Sequence, residues 1–140
     1  MKQTKNLDIL LVDDDSVDRE LFIDALLTLS FKGSINEAEG GNEALRYLKA
    51  APQTNLVILD LNMPLKDGRE TLRELKADKK LRHIPVVVLS TSNSHIDVQE
   101  SYESGACLFM EKPHDFDELK EMLRCLICLV SKYVSFVKAA

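Results

Sequence analysis

Four groups of polar residues stand where short apolar runs end, and their types suit phosphoryl transfer. Asp13, Asp14 and Asp15 follow Ile9 to Val12, and Asp60 follows Leu56 to Leu59. Ser90 and Thr91 follow Val86 to Leu89, and Lys112-Pro113 lies just beyond Cys107 to Met110. Carboxylates crowded into one volume repel, and one of them takes up a proton unless a cation intervenes. A hard divalent cation relieves that repulsion, and Mg²⁺ suits such a site because it accepts a few carboxylates together with water and phosphate. A carboxylate left free beside the metal can attack phosphorus and form an aspartyl phosphate. The charge on the transferring oxygens then needs neutralising. Mg²⁺ can take one oxygen, the Lys112 ammonium a second and the Ser90 hydroxyl a third.

For these residues to meet, the apolar runs must be strands of one sheet. Ile9 to Val12, Leu56 to Leu59, Val86 to Leu89 and Cys107 to Met110 are continuous and rich in Val, Ile and Leu, as strands covered on both faces are. Ser34 to Ala38 is shorter and more polar, so it reads as a strand nearer an edge. Between them lie helix-period segments: one from Ser16 with Leu21, Phe22, Ala25, Leu26 and Leu29 on one face, a second with Ala44, Leu45 and Leu48, and a third with Leu72 and Leu75. A weaker fourth runs from about Ile96 to Ser104 and stops at Gly105. The last starts at Asp115, with Glu118 three residues on as a capping-box partner. Asp15 or Ser16 is expected to cap the first. Five strands alternating with five helices predict an α/β fold, a doubly wound five-stranded parallel sheet with helices on both faces. Ligands of such sheets bind beyond the carboxyl ends of the strands, where the polar groups stand.

The 140 residues suit one domain, and the 45% apolar and 29% charged composition suits a folded protein. A net charge of −5 argues against a general binder of nucleic acid or anionic membrane. No segment offers the ~20 apolar residues that span a bilayer, and no signal peptide is visible. Cys107, Cys125 and Cys128 suggest no disulfide framework, so a cytoplasmic location is expected. Cys125 and Cys128 form a C-x-x-C within an apolar helical pattern; a zinc site needs more ligands, so helix packing explains them better. His83, His95 and His114 read as surface or loop residues.

Val12-Asp13-Asp14, Asp60-Leu61-Asn62-Met63-Pro64 with Asp67-Gly68, Ser90, and Lys112-Pro113 resemble the receiver-domain pattern of two-component response regulators, over roughly Asp8 to Val130. The resemblance implies a flavodoxin-like receiver fold, with one receiver domain over residues 1–140. It implies that Asp13 and Asp14 hold Mg²⁺, that Asp60 accepts phosphate from a histidine kinase, and that Asn62 lends its backbone carbonyl to the metal. It also implies that Ser90 contacts the phosphoryl group, that Lys112 pairs with it, and that Phe109 is the aromatic switch that responds to Ser90. The family often has Tyr at that position. The Lys112-Pro113 peptide is usually cis in this family. Asp67-Gly68-Arg69-Glu70, Leu81 to Pro85 and Ser90-Thr91-Ser92 further resemble stand-alone regulators paired with cyanobacterial phytochrome kinases. The expected function is a stand-alone signalling switch in a phosphorelay, catalysing only its own Mg²⁺-dependent phosphorylation and dephosphorylation; a relay shuttle or phosphate sink would share the same chemistry and the same sequence. Too little chain follows the receiver for a separate output domain, so output by protein contact is expected.

Two readings compete at the margins. A phosphohydrolase that works through an aspartyl phosphate usually carries a second aspartate two residues after the nucleophile, where this chain has Asn62. In the last helix, Phe116, Leu119, Leu123, Leu126, Val130, Tyr133 and Val137 follow alternating three- and four-residue steps. An uninterrupted helix over about 115–137 would run ~35 Å at 1.5 Å per residue, longer than covering the sheet requires. Its distal half, around Leu129 to Val137, is expected to form a homodimer or bind a partner. The alternative is a helix that ends near Ser131 and folds its tail back.

Overall fold

The computed structural model describes residues 5–63 and 67–138; Pro64, part of the receiver-like motif, lies outside them. Elements alternate along the chain: β1 (Leu7–Val12), α1 (Ser16–Leu27), β2 (Gly33–Ala38), α2 (Gly41–Ala50), β3 (Leu56–Asp60), α3 (Gly68–Ala77), β4 (Val86–Ser90), α4 (His95–Glu103), β5 (Leu108–Glu111) and α5 (Phe116–Lys132). The strands form one sheet in the order β2-β1-β3-β4-β5, all neighbours parallel. This is the doubly wound, flavodoxin-like arrangement.

Period-two alternation divides the core into two layers. Leu10, Val12, Val57, Leu59, Val86 and Val88 point toward α2 and α3, meeting Ala44, Leu48, Leu72 and Leu75. Leu7, Ile9, Leu11, Leu56, Ile58, Val87 and Leu89 point the other way, meeting α1 and α5. Burial on both faces explains why β1, β3 and β4 read as unbroken apolar runs. The chain winds one way from β1 to β2 and the other way from β1 through β3, so a crevice opens where β1 and β3 end.

Local chemistry sets the helix starts. Asp15, rather than Ser16, caps α1, its carboxylate accepting from the Val17 N–H at 2.9 Å. Asp115 caps α5 by accepting from the Glu118 N–H at 2.7 Å. Asp67 caps α3. Behind it, a Cβ on Gly68 would lie 2.4 Å from the Asp60 carbonyl oxygen and 2.7 Å from Leu61 Cα. Only glycine lets α3 start this close to the strand end that carries Asp60. Gly105 follows α4 with φ +105°, the expected left-handed stop.

Two expectations need correction. The Cys107 to Met110 run is not covered on both faces: β5 is an edge strand, with Leu108 exposed and Phe109 and Met110 half-buried. The last helix does not reach residue 137, since α5 ends at Lys132. The cause lies at the other end of the chain. The Lys5 N–H donates to the Ser131 carbonyl at 3.0 Å, the Lys5 ammonium donates to the Val134 carbonyl, and the same ammonium sits 5.6 Å from the centre of the Phe136 ring. The Ser131 carbonyl, orphaned at the helix end, is thereby satisfied, and Val134 and Phe136 fold back against the α1–α5 core. The three- and four-residue seam is mainly the stripe that meets the sheet: Leu123, Leu126 and Val130 are buried, each stabilising by about 1.5–3 kcal/mol. Phe116, Leu129, Tyr133 and Val137 remain exposed. Among the described residues, no helix is long and apolar enough to cross a membrane.

Candidate functional site

The parallel register brings the polar strand ends to one edge. Asp60 closes β3 opposite Leu89, and the Leu61 N–H continues the ladder to the Leu89 carbonyl at 3.2 Å. Asp13 stands one residue beyond β1, its N–H donating to the Ala38 carbonyl at 3.1 Å. Ser90 closes β4, and its carbonyl accepts from the Lys112 N–H at 2.8 Å. Thus the sheet's own hydrogen bonds set the spacing of Asp13, Asp60, Ser90 and Lys112.

Asp13 and Asp60 are nearly sequestered, at 5% and 7% exposure, whereas Asp14 faces solvent. One carboxylate oxygen from each of the three lies within 4.8 Å of the others, the only such cluster among the described residues. A set of hard carboxylate oxygens, two buried and one open to water, fits a divalent cation of the Mg²⁺ type. Lys112 Nζ lies 3.3 Å from Asp13 Oδ2, 3.6 Å from Asp60 Oδ1 and 3.6 Å from Asp18 Oδ2.

Burial pushes the Asp60 carboxyl up to about 6, with Asp13 and Asp14 adding to the rise while Lys112 and the Asn62 N–H oppose it. Burial of the Lys112 ammonium works against its charge, but Asp60, Asp13 and Asp18 outweigh this and raise its pKa. The lysine is therefore a fixed cation, and Asp60 is the group whose charge responds to pH. Beside them a cavity of about 210 Å³ opens between α1 and α5, walled by Leu21, Phe22 and Phe116.

Asn62 donates its backbone N–H to Asp60 Oδ1 at 3.2 Å and its side-chain amide to Ser90 Oγ at 3.2 Å. Ser90, fully buried, also accepts from the Ser92 N–H at 3.1 Å. Asn62 therefore holds both neighbours through its own donors. Phe109 packs on the α2–α3 core, and its N–H donates to the Tyr102 hydroxyl at 3.1 Å. The Lys112-Pro113 bond is trans, not the cis form implied by the resemblance; the tertiary amide leaves the two forms within about 1 kcal/mol. The three cysteines are free thiols.

Two residues beside the site carry no legible signal in the sequence. Asp18 supplies Lys112 with a third carboxylate, and Arg19 binds the Asp13 carbonyl at 2.6 Å. Each follows an acidic residue by one helical step, a spacing that does not distinguish them from solvated side chains. Arg69 ties the start of α3 to α4 through Asp67 (3.3 Å), Glu100 (3.5 Å) and Asp97.

Residues 9–124 match the model of the response regulator receiver domain. The chain is 37% identical over 122 residues to response regulator Rcp1 of Synechocystis sp., covering 83% of each chain. The crystal structure of the Mn²⁺-bound form of Rcp1 superposes with a TM-score of 0.83 at 33% identity, over 94% of this chain and 99% of that one. The phosphorylated cyanobacterial phytochrome response regulator RcpA superposes with a TM-score of 0.87 at 32% identity, over 95% and 99%.

Proposed function

The chain belongs to the response regulator receiver family, whose members take a phosphoryl group on aspartate in two-component signalling, and we propose that Asp60 is the acceptor here. The observation that carries this reading is the strand-end cluster itself: a nearly buried Asp60 between two other carboxylates and a fixed ammonium. Asp13, Asp14, Asp60 and the Asn62 backbone carbonyl would hold Mg²⁺. That Rcp1 has a Mn²⁺-bound form supports a divalent cation as the ligand of this cluster. The cation supplies charge neutralisation at the carboxylates and at the incoming phosphoryl oxygens.

An Asp60 carboxylate oxygen attacks the phosphorus of a phosphohistidine on the partner kinase. The O–P bond forms as the N–P bond breaks, and the imidazole leaves with the electron pair and takes up a proton. Lys112 and the Ser90 hydroxyl bind the remaining phosphoryl oxygens. Drawing Ser90 toward phosphate pulls it from the Asn62 amide and Ser92 N–H, and Phe109 relays that change to the α4–β5–α5 surface. We read the whole chain as one receiver domain that signals by protein contact, without nucleic-acid or membrane binding. Its catalysis is limited to its own phosphorylation and dephosphorylation. Asn62 stands where a phosphohydrolase would place its acid–base aspartate, and its side chain is committed to Ser90. The likeness to RcpA, a cyanobacterial phytochrome response regulator, supports a phytochrome-type histidine kinase as partner, and the free thiols suit the cytoplasm.

Incubation of the intact protein with a small phosphodonor tests the reading. With Mg²⁺, intact mass is expected to rise by one phosphoryl group, mapped by peptide analysis to Asp60. With chelator the gain is expected to vanish. Labelling at another residue would refute the assignment.

Leu129 and Tyr133, at the end of α5, are exposed apolar residues, as is Val137 in the tail beyond it, and we propose this end of the chain as the contact for a second copy or a partner. Sedimentation equilibrium is expected to show a mass that grows with concentration. Monomer mass throughout the range would exclude the homodimer.

A further inference from the structure

Arginine rarely lies buried unless it is paired, yet Arg19 of α1 is only 7% exposed. Its guanidinium makes three contacts at once. Nη1 donates to the Asp13 carbonyl at 2.6 Å, Nε to Glu37 Oε1 at 3.1 Å, and Nη2 lies 3.5 Å from Glu39 Oε1. The shortest ends on the main chain of a cluster carboxylate. Asp13 is one residue past β1, where the ladder offers its carbonyl no strand donor. With its N–H held by Ala38 and its carbonyl by Arg19, the peptide units flanking Asp13 are anchored. Its carboxylate is thereby aimed: Oδ1 accepts from the Asp15 N–H at 3.0 Å while Oδ2 faces Lys112.

We infer that Arg19 is a positioning residue of the divalent-cation site, fixing Asp13 through its carbonyl. The inference rests on the proposed metal site and adds a residue to it. A bare cation beside a metal site would repel the metal. Glu37 lies in the edge strand β2 and Glu39 just beyond it, and together they offset that charge while holding the fork in place. Lysine could not replace the fork, because an ammonium is a point donor without the planar reach to three acceptors.

The test uses the full chain and Mn²⁺ alone as probe, with free Mn²⁺ counted by electron paramagnetic resonance. Arg19→Ala and Arg19→Gln are expected to weaken Mn²⁺ binding about tenfold, the lower end for residues that orient metal ligands. Arg19→Lys is expected to recover little of it. Ile127→Val, a change in the opposite half of the α1–α5 core, serves as control and should bind like wild type. Urea unfolding in chelator separates the two roles of Arg19. If its variants lose stability yet bind Mn²⁺ within about twofold of wild type, Arg19 is a structural tie only and the inference is overturned. Should Arg19→Ala fail to fold, the Gln and Lys variants decide by the same criterion. Wild type that binds no Mn²⁺ would instead overturn the metal site itself, so the two failures are distinct.

Discussion

Asp60→Asn is expected to gain no phosphoryl group and, with metal chelated, to be more stable than wild type at neutral pH. The first half follows from chemistry: an amide lacks the anionic oxygen that attacks phosphorus. The second follows from burial. The folded carboxyl keeps its proton up to about pH 6, whereas the unfolded one releases it near 3.8. Between those values the native state binds more protons than the unfolded state, so stability falls as pH rises through the window. Above it the ionised carboxylate costs the apo protein on the order of 2–3 kcal/mol, net of the attraction of Lys112. Lys112 adds no slope of its own here, because its pKa is raised from 10.5 and its contribution is lost only above that value.

Urea unfolding in chelator should therefore show wild type and Asp60→Asn converging as pH falls through about 4, with the variant ahead by on the order of 2 kcal/mol at about pH 7.5. Saturating Mg²⁺ should narrow or reverse the gap, since a ligand bound only by the native wild type stabilises it. A variant that trails wild type equally at both pH values would show that Asp60 carries no burial cost. Retained labelling would move the acceptor elsewhere.

The residues legible in advance share one property: strand register places them. Asp13, Asp60 and Ser90 could be found because apolar runs buried on both faces announce β1, β3 and β4, and the polar residue that ends each run falls at the ligand edge; Lys112 follows the apolar run of β5, half-exposed as that strand is. Arg19 was not legible, because its partners Glu37 and Glu39 come from β2 and the turn after it, remote in sequence. On a helix, one arginine spaced from an acidic residue looks like any solvated one. The end of α5 was hidden for a similar reason. Its apolar steps continue to Val137, but Lys5 from the opposite end of the chain takes the Ser131 and Val134 carbonyls. The edge position of β5 was equally invisible, since an apolar run does not record whether a further strand covers it. What periodicity reports is burial; which remote group ends an element is a tertiary fact.

Lys112→Ala is expected to slow phosphoryl acceptance from a small phosphodonor by about a hundredfold or more, in line with the loss of one preorganised charge at a transferring oxygen. The size of the effect depends on what Lys112 touches before any phosphate arrives. Its ammonium is shared among Asp13, Asp60 and Asp18 at 3.3–3.6 Å, so it already stands beside the nucleophile and needs no large movement to reach the incoming group. Alanine removes that cation and leaves the carboxylates facing one another, which should raise the Asp60 carboxyl further and leave less of it ionised to attack. Lys112→Arg keeps the charge on a larger planar group and should recover only part of the rate. Because lost ionisation and lost phosphoryl contact both slow labelling, the rate must be followed against pH at saturating Mg²⁺. If ionisation were the whole effect, Lys112→Ala would reach the wild-type rate at higher pH. A deficit that persists on the alkaline plateau assigns Lys112 to the transferring group itself, and a rate within about threefold of wild type at every pH would remove it from the chemistry.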